Sequence, residues 1–585
     1  MKKSLLILII SFAQLAFSQT TEYVFVYFKD KPGYNSFIAN PLTELSQKAL
    51  DRRTRLGIAL DIKDAPIEDS YVEDVRTTLG LTKIKSQSKW LNGVAVEINA
   101  VQKSQLLAKP YVASIESFAK SGSILGRRTT TTENLQIKQN TINHKFGFQE
   151  YIFSDENVKT NRISKILTSY NYGNASTQNA QVNITPLHVS GYTGLGVAVA
   201  ILDTGFKYVD QGIAYANLRN NNRIKDTYNF VGDETASVYD PVAFTSAHGS
   251  NVLGIMAGYL NDPTNNNTAN RYFVGSAPDA DYYLYATEDA DGNGGMDYPE
   301  EEMNFIRGLE RADKMGVDIA TASLGYFVYS DSRYDYTYAD MNGNRTFVAR
   351  GANIAVDKGI ILMNALGNEG ADTWHYLISP ADSPKVFSIG SIDFAGNSSW
   401  FTSYGPNANN QIKPDAAAMG SNAYYTNSSY ITTGTGVSSG SGTSYATPVA
   451  SGGVACLLQA IPNTVSRNLI RDKMRQTASL YPSTDDRRGY GILNFSSALT
   501  EIQQALGIQN QLVQQFKIYP NPVKNQINIV TNEKIIELQL FDVSGRNIKI
   551  FTNEKTQDLS QLSKGIYFLK IKTNKGITVE KIIKE

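Results

Sequence analysis

The segment Ser441-Gly442-Thr443-Ser444-Tyr445-Ala446-Thr447-Pro448 decides the fold class, because it places a serine among small residues directly before an apolar helical run, Pro448 to Leu458. A hydroxyl at a helix amino terminus meets backbone N–H groups and the positive end of the helix dipole, which favour a developing negative charge. The segment therefore predicts a nucleophile, Ser444, beside the start of a helix.

Two upstream segments supply the residue types that activate a serine. Asp203 follows the apolar strand Val197–Leu202, and His248 precedes Gly249 and a helical run. Active sites of α/β sheets gather at the carboxyl ends of the strands. Taken alone, Asp203 is more simply a turn residue and a single histidine is more often structural. Of the four histidines, however, only His248 opens a helix among small neighbours.

A third element is the segment Ala365–Gly370, in which an apolar strand ends in glycine and asparagine. The side-chain amide of Asn368 can donate a hydrogen bond to an oxyanion. The alternative is a turn asparagine that accepts a positive φ. Each of these segments is weak by itself, and their joint appearance in this order is what favours an active site.

Composition excludes several classes of function. Lys+Arg and Asp+Glu both total 55, so a zero formal net charge gives no electrostatic footprint for nucleic acid or acidic membranes. The one cysteine, Cys456, excludes an intramolecular disulfide framework and a multi-cysteine metal site. We expect Cys456 to be a buried small apolar residue, with a catalytic cysteine as the alternative.

The chain divides into five segments. Residues 1–18 have the basic start, short apolar run and small residues of a signal peptide cleaved after Ser18, and the run is too short for a membrane anchor. Residues 19–117 alternate as a small α+β domain, and residues 118–168 form a polar linker with a candidate cleavage point at Arg127-Arg128. Residues 169–505 alternate strands and helices, and residues 516–585 predict a small all-β sandwich.

Within the α+β domain, strands are expected at Tyr23–Phe28, Leu91–Ile98 and Val112–Glu116. Helical spacing appears over Leu45–Leu56, with Asp51, Arg52 and Arg53 on a charged face.

The quoted segments resemble the three active-site motifs of the subtilisin-like serine protease family, namely Asp203-Thr204-Gly205, His248-Gly249-Ser250 and Gly442–Pro448. Their order along the chain is also that of this family. The resemblance covers about residues 169–505 and implies an α/β fold with a parallel sheet and helices on both faces. It implies Asp203, His248 and Ser444 as the triad of a secreted endopeptidase that forms an acyl-enzyme.

The same resemblance implies the residues that bind substrate. Gly367-Asn368 resembles the oxyanion asparagine of the family, and Ala322–Gly325 resembles its substrate-binding strand. The implied substrate-binding residues are Ser323, Leu324, Gly325, Ala365, Leu366 and Gly367. The chain departs from the family at Asn251, Leu366 and Tyr445, where histidine, alanine and methionine are usual, and Leu366 and Tyr445 are expected to reshape the primary specificity pocket.

One segment resembles a calcium loop. Asp289-Ala290-Asp291-Gly292-Asn293-Gly294 followed by Glu300 has EF-hand spacing, but a strand, Asp281–Ala286, precedes it where an EF-hand needs a helix. We therefore expect an acidic surface loop and no cofactor, with calcium as the alternative. The family resemblance implies that this loop lies beside the substrate cleft.

The two terminal modules resemble accessory domains. Leu91–Val96 and Pro110–Glu116 resemble the inhibitory propeptide of subtilisin-like proteases. Tyr519–Val523, Asp542–Arg546 and the basic end Lys581–Lys584 resemble the type A sorting domain of the type IX secretion system, which implies export through the periplasm to the medium or the cell surface. A carbohydrate-binding or stabilising sandwich is the alternative.

The expected partners are protein or peptide substrates, the chain's own propeptide and the type IX secretion machinery. Two other functions stay open at this point. A secreted esterase is disfavoured because Gly442–Ala446 lacks the second glycine of a nucleophile elbow, and a catalytically weak surface adhesin is disfavoured because every catalytic position is filled.

Overall fold

A computed structural model describes residues 21–119, 170–261, 272–290, 296–429, 436–506 and 517–585, apart from positions 85, 532–533, 543–545, 553 and 574–575. The expected signal peptide, the Arg127-Arg128 cleavage point and all but the start of the expected linker lie outside these residues. The described residues form three modules in chain order.

The amino-terminal module is a four-stranded antiparallel sheet with helices, as expected from the sequence. Its elements are β1 (Glu22–Phe28), α1 (Tyr34–Ala39), α2 (Gln47–Leu56), α3 (Asp69–Leu79), β2 (Ser86–Ser88), β3 (Gly93–Ile98), α4 (Ala100–Leu107) and β4 (Val112–Ser117). The strand order is β2-β3-β1-β4. Helix α2 has a Ser46 amino cap and ends at Gly57, whose φ of 67° is the left-handed conformation that glycine adopts without strain.

The central module is built on seven parallel strands in the order β13-β12-β11-β10-β5-β9-β6. These strands are β5 (Ala198–Asp203), β6 (Ile224–Asn229), β9 (Asp281–Ala286), β10 (Ile319–Ala322), β11 (Ile361–Ala365), β12 (Phe387–Ile392) and β13 (Ala416–Met419). Two hairpins, β7 (Tyr259–Asn261) with β8 (Tyr272–Val274) and β14 (Ala423–Thr426) with β15 (Val437–Gly440), lie outside this sheet.

Nine helices accompany these strands in the described part of the module: α5 (Ser176–Gln181), α6 (Thr185–Val189), α7 (Ala216–Asn220), α8 (His248–Ala257), α9 (Pro299–Lys314), α10 (Phe347–Asp357), α11 (Thr443–Ala460), α12 (Arg467–Gln476) and α13 (Phe495–Ala505).

Both faces of the sheet are covered, which explains why its strands are apolar throughout. Along β5, Val199 and Ile201 pack into one core with residues of α8 and α11. Ala198, Ala200 and Leu202 point to a second core with residues of α9 and α10. The amino-terminal module packs on this second face, where Phe25, Trp90 and Phe118 join the same core.

The carboxyl-terminal module is all-β, as expected. Its strands are β16 (Lys517–Tyr519), β17 (Gln526–Val530), β18 (Ile535–Asp542), β19 (Asn547–Phe551), β20 (Thr556–Asp558), β21 (Gly565–Thr573) and β22 (Gly576–Lys584), which form a three-stranded and a four-stranded sheet around one apolar core. Among the residues that the structure describes, no helix combines the length and the apolar character needed to span a bilayer.

Candidate active site

The structure brings Asp203 and His248 into direct contact at the carboxyl edge of the sheet. Asp203 is the last residue of β5, and His248 is the first residue of α8. Nδ1 of His248 lies 2.7 Å from Oδ1 of Asp203, and both side chains are fully buried. Oδ1 of Asp203 also accepts the backbone N–H of Thr204 at 2.8 Å. A carboxylate at Nδ1 fixes the ring orientation and directs Nε2 away from Asp203.

The glycine after His248 is required by this contact. A Cβ at Gly249 would lie 2.3 Å from the Gly205 carbonyl oxygen and 3.2 Å from Oδ1 of Asp203. No side chain fits in that space while Asp203 keeps its place. The pairing of His248 with a following glycine, seen in the sequence only as a motif, therefore has a steric cause.

Ser444 lies inside a helix rather than before one. The sequence predicted a helix start at Pro448, and this was wrong: α11 begins at Thr443, so Ser444 is in its first turn and Pro448 lies in the helix interior. Ser444 keeps the surroundings that the sequence predicted, because its own N–H is among the first of the helix and has no carbonyl one turn earlier to bond.

Pro448 explains how the backbone at Ser444 is held. Proline has no N–H, so it cannot donate to the carbonyl four residues earlier, which is that of Ser444. This carbonyl instead accepts a hydrogen bond of 2.9 Å from Oγ of Ser323, the residue after β10. The family resemblance implied that Ser323 binds substrate, and its contact with the Ser444 carbonyl was not predicted.

A second contact joins the same two residues in the opposite direction. Oγ of Ser444 donates to the Ser323 carbonyl oxygen at 3.2 Å. A hydroxyl has one proton to donate, so the bond to Ser323 must break before that proton can pass to a base. Ser444 is 1% exposed in this chain, which still includes its amino-terminal module.

The amide of Asn368 is oriented by the residue next to Ser444. Oδ1 of Asn368 accepts the backbone N–H of Thr443 at 2.7 Å and the Thr443 hydroxyl at 3.0 Å. Because Oδ1 accepts both of these hydrogen bonds, the remaining group of the amide is its NH₂, which can only donate hydrogen bonds. Thr443 was not predicted as a site residue, although it belongs to the quoted segment.

The remaining predicted site residues line two adjacent strands. Ser323, Leu324 and Gly325 follow β10, and Ala365, Leu366 and Gly367 end or follow β11, which pairs with β10. Nδ2 of Asn364 donates to the Leu324 carbonyl at 2.9 Å and so joins the two segments.

Three of these positions show how closely the segments pack. A Cβ at Gly325 would lie 2.4 Å from Cγ1 of Ile378, and Gly367 has a φ of 120°. Leu366 is fully buried in the core that the sheet shares with α9 and α10.

Tyr445 packs edge-on against the His248 ring at a centroid distance of 6.3 Å and stacks on Tyr425 at 5.5 Å.

Carboxylates gather near the segment that resembled a calcium loop. In the described part of the chain, the ligand oxygens of Glu288, Asp297 and Glu301 lie within 4.8 Å of one another, and all three residues are buried. Glu301 accepts the backbone N–H groups of Asp289 and Tyr298 and so caps α9.

The residue at the last EF-hand position has another contact. Oε1 of Glu300 accepts the Ser86 hydroxyl of the amino-terminal module at 3.1 Å. Residues 291–295 lie outside the described part of the chain, so the expected acidic loop without a cofactor stays a prediction, with calcium still its alternative.

Cys456 has the position that the sequence predicted. It is fully buried in α11, and burial raises the pKa of its thiol. A thiol that resists ionisation is a poor nucleophile, which disfavours the alternative of a catalytic cysteine.

Comparison with known proteins assigns all three modules. The model of the subtilase family matches residues 194–491, that of the peptidase S8 propeptide domain of Bacteroidota matches residues 23–136, and that of the secretion system C-terminal sorting domain matches residues 517–585.

Two curated relatives and one solved structure give the degree of similarity. A thermostable alkaline protease of Halalkalibacterium halodurans is 28% identical over 54% of this chain and 71% of its own length. Subtilisin E of Bacillus subtilis is 28% identical over 54% of this chain and 70% of its own. The crystal structure of MycP1 from Mycobacterium smegmatis covers 57% of this chain and 87% of its own, with 21% identity and a TM-score of 0.41.

The comparisons favour the protease over the esterase and the adhesin. The sorting domain places it outside the cell or on its surface, and the propeptide domain makes it a zymogen. The chain belongs to the subtilase family and is a secreted serine endopeptidase.

Proposed function

We propose that Asp203, His248 and Ser444 are the catalytic triad of this protease and that Asn368 is the side-chain donor of its oxyanion hole. The observation that carries this proposal is the buried contact of 2.7 Å between Asp203 and His248. Asp203 ends β5, and the neighbouring strand β10 leads to Ser323, which contacts Ser444. Asp203 orients the ring and stabilises it once it is charged, and His248 takes the Ser444 proton as Oγ attacks the scissile carbonyl.

The remaining steps follow from the same groups. His248 returns the proton to the leaving amine, and water then hydrolyses the acyl-enzyme with the histidine again as base. The oxyanion lies between the Asn368 amide and the backbone N–H of Ser444, at the positive end of α11. Side chains, one backbone N–H and water supply every group named here, so no step is assigned to a metal or a cofactor.

A matched pair of serines tests the proposal. Ser441 lies three residues before Ser444, and its Oγ accepts the Asn422 N–H at 2.9 Å. Ser444→Ala should abolish hydrolysis of casein, whereas Ser441→Ala should retain most of it. Casein hydrolysis above background by purified, folded Ser444→Ala protein would refute the assignment.

We also propose that the amino-terminal module, hereafter the prosegment, inhibits the enzyme. It ends against the start of α10, where Phe118 stacks on Phe347 at 3.9 Å and Glu116 forms a salt bridge with Arg350 at 3.0 Å. Helix α10 connects β10 to β11, and such a crossover helix starts at the carboxyl edge of a parallel sheet. This end of the prosegment therefore lies at the edge that holds Ser444. The isolated prosegment should inhibit the mature enzyme, and lack of inhibition would contradict this role.

The partners of export follow from the third module. It contributes no residue to the proposed triad, and its match to a secretion sorting domain supports recognition by the type IX machinery. Deletion of residues 517–585 should leave hydrolysis intact and retain the enzyme in the periplasm. Normal appearance of the truncated protein in the medium would favour a binding or stabilising sandwich instead.

A further inference from the structure

Two arginines of the prosegment are completely buried where it meets the central module. Arg52 and Arg53 lie on α2, and their side chains are 0% and 2% exposed. Guanidinium groups are rarely buried to this extent unless they are paired, because removing their charge from water is costly. The sequence showed them only as members of a charged helix face.

A single carboxylate of the central module binds both arginines. Nη2 of Arg52 donates to Oδ1 of Asp313, and Nη2 of Arg53 donates to Oδ2 of the same residue at 2.6 Å. Nη1 of Arg52 donates to the Val317 carbonyl. Nη2 of Arg53 also donates to Oδ1 of Asp64, within the prosegment, at 2.8 Å. Both oxygens of Asp313, at the end of α9, are thus used by the prosegment.

Lys358 of the central module makes the reciprocal contact. Its Nζ donates to Oδ1 of Asp61 at 2.8 Å and to Oδ2 of Asp64 at 2.9 Å, and its side chain is 3% exposed. Arg52, Arg53 and Lys358 therefore face Asp61, Asp64 and Asp313, three cations against three carboxylates. Charged hydrogen bonds of this kind fix the register of an interface.

Two glycines allow α2 to approach this closely. A Cβ at Gly316, which has a φ of 76°, would lie 2.6 Å from the backbone nitrogen of Ala49 on α2. A Cβ at Gly359, with a φ of 93°, would lie 2.7 Å from Cδ1 of Leu56 at the end of the same helix. Helix α2 therefore sits directly on the turns that lead into β10 and β11.

These turns are at the opposite edge of the sheet from the active site. Residues 316–318 precede β10, whereas Ser323 follows it and contacts Ser444. At the rise of a parallel strand, about 16 Å separates Asp318 from Ser323. A contact at the amino edge cannot obstruct the active site itself, so its contribution must lie elsewhere.

We propose that Asp313, the Val317 carbonyl and Lys358 form a docking site at the amino edge that holds the prosegment on the enzyme after the linker has been cut. This rests on the inhibitory role proposed above. Because one folded module spans both edges, a prosegment held at the amino edge stays at high effective concentration near the active site.

The test uses the full chain with Ser444→Ala, so that no self-cleavage occurs, and a site for a second, sequence-specific protease placed within residues 120–169. After cutting, release of the prosegment is followed over time by size-exclusion chromatography. We expect Arg53→Gln and Asp313→Asn each to speed release at least tenfold. Because the two residues are in contact, the double variant should speed release by less than the product of the two single factors.

Arg55→Gln is the matched control, since Arg55 lies on the same helix, is 31% exposed and reaches only 4.0 Å from Asp318. If an arginine variant fails to fold, Lys358→Gln and Asp61→Asn test the same site. They remove the salt bridge between Lys358 and Asp61, and Asp61 is 49% exposed. Both should speed release more than the Arg55→Gln control does, and release no faster than that of the control would overturn the docking site.

The outcomes separate the two proposals. Slow release from the parent chain and equally slow release from every variant would overturn the docking site and leave the inhibitory role standing. Immediate release from the parent chain would overturn the docking site, and the inhibition assay with added prosegment then decides the inhibitory role independently. Equal acceleration by Arg55→Gln would also overturn the docking site, because the effect would belong to net charge.

Discussion

The two edges of the seven-stranded sheet use polar residues in different ways. At the carboxyl edge, Asp203, His248 and Ser444 come from three short motifs in the same module. At the amino edge, Asp313 binds Arg52 and Arg53, which lie some 260 positions earlier in the chain and in another module. Local motifs thus encode the groups proposed for catalysis at the carboxyl edge, whereas the charge cluster at the amino edge joins residues that are distant in the chain.

This difference predicts that the two edges can be damaged separately. Changes to the proposed catalytic groups at the carboxyl edge should lower kcat and leave the fold and the prosegment in place. Changes at the amino edge should alter stability or prosegment release and leave kcat of the folded, mature enzyme unchanged.

Loss of the proposed base should have the largest effect. His248→Ala removes the group that accepts the Ser444 proton, and we expect kcat to fall by about 10⁶, the size of the loss measured for the corresponding change in a subtilisin. The measurement is kcat on a peptide substrate. His188→Ala is the histidine control, because His188 contacts Tyr172 and Ser276 instead of the triad. A loss below about tenfold would mean that His248 is not the base.

Loss of the oxyanion donor should rank second. For Asn368→Ala we expect kcat to fall by about 10²–10³ with little change in KM, a magnitude that comes from a subtilisin asparagine. Since Asn368 also accepts the Thr443 N–H, the melting temperature must be measured alongside. A loss that appears in KM instead of kcat would point to ground-state binding and contradict the oxyanion role.

The Ser323–Ser444 contact should matter less for rate than for stability. Ser323→Ala leaves the buried Ser444 carbonyl without its hydroxyl donor, and we expect a loss of about 1–3 kcal/mol in the free energy of unfolding. We expect kcat to fall by less than about tenfold, because no group at the reacting atoms is removed.

A second substitution checks the reason given for this contact. In a Pro448→Ala background, residue 448 regains an N–H that can bond the Ser444 carbonyl. The cost of Ser323→Ala should then shrink, and an equal cost in both backgrounds, measured by denaturant unfolding, would contradict the role of Pro448.

At the amino edge, Asp415 should affect stability and not kcat. Asp415 directly precedes β13 and is bonded by Lys413 at 2.9 Å and by Nε of Arg475 at 2.8 Å. Burial by itself raises the pKa of Asp415, but the charges of Lys413, Arg475 and Arg471 outweigh burial and hold that pKa well below its usual range. The unfolded chain takes up this proton near pH 3.9, so the stabilisation is present above about pH 4 and is lost as pH falls below it.

Asp415→Asn should therefore cost about 3–5 kcal/mol at pH 7 and flatten the dependence of unfolding free energy on pH below about 4. Asp472→Asn, whose carboxylate is 57% exposed and 3.6 Å from Arg475, is the control and should cost less than about 1 kcal/mol. A lowered kcat in folded Asp415→Asn enzyme would break the separation between the two edges.

The sequence predicted where Asp203, His248 and Ser444 lie in the fold because small residues next to each of them serve a local purpose. Gly249 is required by the packing of Asp203, and that requirement is visible as a dipeptide. The start of α11 was misplaced because a proline usually marks the first turn of a helix. Here Pro448 lies in the interior, and the hydrogen bond that it cannot donate is replaced by one from the Ser323 hydroxyl, 121 positions from Ser444. No periodicity reveals such a partner.

The contacts between modules at the amino edge were not predicted. Arg52 and Arg53 have the pattern of an exposed charged face, and only the folded chain shows that Asp313 covers them. The helix itself was predicted, since its spacing is a local property; its partner was not, since pairing across modules depends on tertiary contacts alone.

The most direct test of the central claim is to label the mature enzyme with a serine-directed fluorophosphonate and to map the modified residue by mass spectrometry. We expect modification of Ser444 alone, with loss of casein hydrolysis in proportion to labelling, and no modification of Ser441, Ser323 or the buried thiol of Cys456. Labelling should also slow markedly in His248→Ala, because the base is gone. Complete loss of hydrolysis with the label on another residue, or full hydrolysis with Ser444 labelled, would refute Ser444 as the nucleophile.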